Sequence, residues 1–142
     1  MTTALGIVAL LIGSFGIVGQ LISALDFGLA QRLGLQEGDD ETDPLHRRLE
    51  LSTARWDLFV LWTLPLAGVA MILDTSWWPW VALLAGGISV DTGGRESFKW
   101  LGLRAERVRI GSERETRLGF AFLSLMVVVG LALIAHALVT LI

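Results

Sequence analysis

Four apolar blocks separated by polar stretches make up the chain. The first, residues 4–25, carries no charge, and about 20 such residues suffice for a helix to cross the hydrocarbon core of a bilayer. The second covers about 56–73, broken early by Asp57 and later by Pro65. Proline removes one backbone donor and kinks a helix, and Thr63 stands close enough to satisfy the freed carbonyl. The third is short. Trp77 to Val90 as a helix spans about 21 Å, less than the roughly 30 Å of hydrocarbon. It is expected to continue a turn, to about residue 92, and to break near Gly93-Gly94. The fourth runs over about 118–141, after Ser112 and Glu115 in the S-x-x-E order of a capping box.

Between the blocks, Gln36–Asp43 is polar and acidic, an exposed loop in which the ligand order of a calcium-binding EF-hand is missing. Asp43-Pro44 is a helix start, an N-cap acid followed by proline at the first helical position. Leu45, Leu49, Ser52, Trp56 and Phe59 then recur at spacings of three and four, which predicts an amphipathic helix leading into the second span. Residues 99–117 form a basic loop in which Arg107–Ile110 alternates like a short extended piece. Trp77, Trp78 and Trp80 beside the Asp74 turn resemble an aromatic belt at a membrane surface.

These patterns predict an all-α integral membrane protein. It is a single domain, an antiparallel bundle of four transmembrane helices, with connecting loops at about 26–55 and 93–117. Composition agrees, with 54% apolar and 18% charged residues. A secretory leader is not expected, because Met1-Thr2-Thr3 has no basic residue. The absence of Cys excludes disulfides and thiolate metal sites. All eleven Lys and Arg fall in Arg32–Arg55 or Arg95–Arg117. By the positive-inside rule both long loops are cytoplasmic and both termini lie outside. The partner expected first is the lipid bilayer of the cell membrane. The basic loop lacks the aromatic interleaving of a nucleic-acid surface, so no nucleic acid is expected.

Candidate chemistry is sparse. The topology brings Gln20, Asp57 and Asp91 to a similar depth, with Arg55 or Arg95 as counter-charge, and ionisable groups at membrane depth face a bundle interior or a watery cavity. Ala9 and Gly13 are spaced as in small-xxx-small helix contacts. With Gly16, Gly86 and Gly87 they are the expected helix-packing positions. Asp91-Thr92-Gly93 matches the short signature of aspartic peptidases, with Asp57 as the conceivable second carboxylate. Gly93-Gly94 with Arg95 and Lys99 suits a lipid phosphate. His136 is alone on an apolar helix, a packing histidine, and no two-His metal site forms with His46 on the opposite side. No cofactor motif is present. The expected role is a non-enzymatic packing or accessory module, homo-oligomeric or attached to a larger membrane protein. The alternatives are an oligomeric channel or transporter component for small ions or solutes and, more remotely, an intramembrane aspartyl peptidase.

Overall fold

The structure, a computed structural model, describes residues 1–142 and contains only helices as regular elements. They are α1 (Thr2–Leu25), α2 (Phe27–Arg32), α3 (Pro44–Val60), α4 (Thr63–Ile72), α5 (Trp78–Ala105) and α6 (Glu113–Leu141). Three stretches are long and apolar enough to cross a membrane: Thr2–Leu25, the α3–α4 run Pro44–Ile72, and Glu113–Leu141. At 28 residues α5 is also long enough, but it carries Asp91, Arg95, Glu96 and Lys99 within its length.

Helix ends follow local chemistry. Asp43 Oδ1 accepts from Leu45 N at 2.8 Å, with Pro44 behind it. Ser112 and Glu115 close a reciprocal capping box. Within 26–55 the helix expected from Pro44 forms as α3, and the connection before it carries the short α2. Asp26 ends α1 and its side chain caps α2. Gly34, at φ +70°, terminates α2 with the paired backbone bonds of a left-handed C-cap. Arg107–Ile110 does find an extended partner, the acidic loop: Ile110 pairs with Thr42, and Asp43 N donates to Arg109 O.

The α3–α4 junction shows how proline is accommodated. Pro65 cannot donate to Leu61 O, which instead accepts from Leu64 N at 3.1 Å. That leaves Val60 O free, and Thr63 Oγ1 donates to it at 2.7 Å. The kink has a consequence for packing. α4 lies against α5, whereas the α3 backbone stands off from it.

Two close helix pairs build the bundle, α1 on α4 and α5 on α6. Both are glycine-mediated. A Cβ on Gly13 would fall 2.5 Å from Pro65 Cδ, and one on Gly6 2.9 Å from Gly68 O. A Cβ on Gly86 would lie 2.7 Å from Gly130 O, and one on Gly93 2.5 Å from Leu123 O. Contact through Gly93 is also why α5 does not break there: with no side chain at that position, α6 approaches and the helix continues to Ala105. Gly16 and Gly87 do not pack in this way. Gly16 has only Leu61 Cδ1 within 4 Å of a built Cβ, and Gly87 has nothing. Ala9 is fully buried in the core with Leu64, Ala67 and Met71. The pairs meet through α4 and α5, while α1 and α6 barely touch.

Of the three tryptophans at the Asp74 turn, Trp77 and Trp80 are exposed but Trp78 is buried. It stacks on His136 with ring centroids 5.2 Å apart, and His136 Nε2 hydrogen-bonds Thr2 Oγ1 at 2.8 Å. His136 is thus a packing histidine that ties the start of α1 to α5 and α6.

Candidate functional site

The stand-off between α3 and α5, together with the gap between α1 and α6, leaves a cavity of about 280 Å³. Its polar wall is the inward stripe of α3. The amphipathic pattern is inverted there. Leu45, Trp56 and Phe59 are exposed, while His46, Glu50, Ala54 and Asp57 are buried at helical spacing. In water the apolar stripe would turn inward. Where α3 enters the second apolar block, a lipid surrounding favours this arrangement, with Trp56 and Phe59 outward and Asp57 inward.

Asp57 is 1% exposed. Its Oδ2 accepts from Gln20 Nε2 at 3.0 Å, so α1 and α3 meet across a polar contact. Its Oδ1 is buried without any partner. Deeper toward the basic loop, Glu50 Oε1 accepts from Lys99 Nζ at 2.9 Å and from Trp100 Nε1 at 3.2 Å. Lys99 also pairs with Glu96 Oε2, one turn earlier on α5, and reaches Thr53 Oγ1 at 3.3 Å. Arg95 Nη1 holds the other oxygen of Glu96 at 3.2 Å. Lys99 lies past the apolar part of α5. Burial lowers its pKa, but Glu50 and Glu96 more than offset this and hold the ammonium above the ordinary lysine range. The segment Gly34–Glu37 closes the adjoining wall, with Gln36 Nε2 donating to Ser23 Oγ at 3.1 Å. Glu37 Oε2 lies 3.8 Å from Nε2 of the buried His46, whose Nδ1 is 3.8 Å from Glu50.

Of the five residues expected to share a polar cluster, Gln20 and Asp57 meet on the cavity wall, and Arg95 and Asp91 meet separately on α5. Arg95 joins the neighbouring charge network through Glu96. Asp91 does not join them. Its side chain is 68% exposed and binds Arg95 Nε at 3.3 Å, an i,i+4 pair on the outer face of α5. Such exposed pairs contribute about 0–1 kcal/mol, so Asp91 is a solvated acid. Arg55 is exposed and makes no ion pair. The aspartates therefore form no dyad: one lies on the cavity wall and the other on the surface. Arg95 and Lys99, expected near a lipid phosphate, are instead engaged by carboxylates.

Glu50, Glu96 and Trp100 were not among the expected site residues, and Lys99 was expected only beside a lipid phosphate, although signals for this network exist. Lys99 is the one lysine in a chain that otherwise uses arginine. The buried stripe of α5 continues at helical spacing, Ser89, Thr92, Glu96, Trp100, past the point where apolar composition ends.

The remaining wall is apolar, with Ile12, Leu61, Leu64, Phe122 and Met126 among its residues. Across the α1–α6 gap Phe15 meets Phe122 edge to face at 5.8 Å. No cluster of His, Asp and Glu is arranged to hold a metal ion. Searches against family models, curated proteins and solved structures find no match.

Proposed function

We propose that this chain is a four-span protein of the cell membrane with both termini outside, and that it binds a small monovalent cation as a component of a solute pathway rather than as an enzyme. One observation carries the proposal: a buried carboxylate, one of its oxygens without a partner, on a residue that lines a cavity. A buried polar atom without a partner calls for a donor, and ionisable groups at membrane depth characteristically line substrate or ion pathways. A divalent ion fits poorly, since calcium takes six to eight oxygen ligands. Four helices leave little room for a private channel, so conduction calls for a second copy or a larger membrane partner. Gly87, which nothing in the chain covers, leaves a small-residue face for such packing.

The orientation rests on the confinement of every basic residue to two segments. Reporters fused after Ile142 and inserted at Asp74 are expected to read as external, and one at Asp40 as internal. A cytoplasmic C-terminus would reverse the assignment.

The functional test is flux into proteoliposomes using a panel of inorganic and organic monovalent cations. At least one is expected to cross faster than in protein-free vesicles, with the rate cut about tenfold or more in Asp57→Asn. Rates equal to those of empty vesicles for the whole panel would remove the proposal.

A further inference from the structure

We infer that the ligand of this cavity is an amphipathic ammonium, a small alkyl or aryl amine that places its N–H on Asp57 Oδ1 and its apolar body against α6. This rests on the cavity being a cation site and adds the chemical class. The polar demand is for a single donor. Gln20 already satisfies Asp57 Oδ2. Glu50 and Glu96 are engaged by Lys99, Trp100 and Arg95. Glu115 is spent on its capping box. Glu37 faces the buried His46 at 3.8 Å. Among the fully buried side-chain atoms of the lining residues, the one left unmet is Asp57 Oδ1. An alkali ion needs several oxygens around it. Here it would gain one carboxylate oxygen and turn much of its remaining shell toward Leu61, Leu64, Phe122 and Met126. An ammonium needs no such shell, and a carbon body gains from the same apolar wall. Whichever partner brings the proton, an amine meeting Asp57 forms the same charge-assisted hydrogen bond.

Size and access agree. At about 30 Å³ per water, a cavity of about 280 Å³ holds a molecule of roughly nine or ten non-hydrogen atoms. α1 and α6 barely touch, and the contact across their gap includes the Phe15–Phe122 pair. Phe15 is 60% exposed, and Gly19 one turn on has nothing within 4 Å of a built Cβ. An amphipathic molecule dissolved in the bilayer can thus reach Asp57 sideways, between two helices, by displacing aromatic rings rather than backbone.

The probe is benzylammonium, measured by equilibrium binding to the whole protein in lipid nanodiscs, with protein-free nanodiscs as blank. Saturable binding is expected, with benzyl alcohol and benzoate at least tenfold weaker as competitors. Asp57→Asn should weaken binding tenfold or more while keeping the Gln20 contact, and Phe122→Ala should weaken it severalfold. Should Asp57→Asn fail to fold, the competition series on the unaltered protein still decides. Equal competition by benzyl alcohol would overturn the inference, since the site would then recognise shape and not charge. Flux of potassium or sodium without benzylammonium binding would overturn the ligand class and leave the cation pathway standing. Absence of both binding and flux would overturn both.

Discussion

Replacing Lys99 by Met is expected to destabilise the folded protein by about 3–5 kcal/mol, the loss typical when one partner of a buried ion pair is removed. Glu50 and Glu96 are both largely buried, with side chains 11% and 7% exposed. Lys99 is the only cation bonded to Glu50 at hydrogen-bonding distance. Glu96 retains Arg95, so most of the loss arises at Glu50, whose remaining donor is the Trp100 indole. The decisive comparison is the triple variant Lys99→Met, Glu50→Gln, Glu96→Gln. Neutral amides need no counter-ion, and stability is expected to return most of the way. Melting or denaturant titration of the purified protein in mild detergent measures both. A Lys99→Met variant as stable as the original would mean that the three groups sit in water. The sign with pH follows from the raised Lys99 pKa. The contribution is complete below the ordinary lysine value of about 10.4 and disappears as pH rises through the higher folded-state value.

The same residues show what was legible in the sequence. Helical class and membrane-length apolar runs were, because they depend on composition over many residues. Helix starts at Asp43-Pro44 and Ser112 were, because capping is a matter of a few adjacent side chains. The face of α3 was not. A helix with Leu45, Trp56 and Phe59 on one side and His46, Glu50 and Asp57 on the other has two possible orientations. Only the solvent, water or lipid, chooses between them. The extent of α5 was missed for a related reason. Composition turns polar after Val90, but helical backbone bonds do not depend on composition, and α6 holds the next turns through Gly93. Once the helix is continued, Glu96 and Trp100 fall on the buried stripe and Asp91 falls off it. Asp91, expected in the polar cluster, thus lies off the buried stripe by helical phase, and Glu96 lies on it.

Phase also governs the glycine pairs, and there it predicts opposite outcomes for adjacent residues. Gly86 and Gly93 are two turns apart on the face of α5 that meets α6, whereas a Cβ on Gly87 or Gly94 would have nothing within 4 Å. The closest groups to Gly86 and Gly93 include backbone oxygens, Gly130 O at 2.7 Å and Leu123 O at 2.5 Å. A backbone oxygen cannot rotate away, so an added methyl must push α5 and α6 apart along a contact that is reciprocal at Gly130, where a Cβ would lie 2.7 Å from Gly86 O. Overpacking of this kind costs about 1–3 kcal/mol per site, offset by at most about 1 kcal/mol of helix propensity gained on leaving glycine. Gly86→Ala with Gly93→Ala is therefore expected to lose up to about 4 kcal/mol, and Gly86→Val in the same background to prevent folding. Gly87→Ala with Gly94→Ala gains propensity without a clash and is expected to raise stability by up to about 2 kcal/mol. Denaturation of the two double variants in parallel separates the faces. Losses of equal size would mean that Gly87 and Gly94 are packed against something as close as α6, and equal gains would mean that α6 does not contact α5 through Gly86 and Gly93.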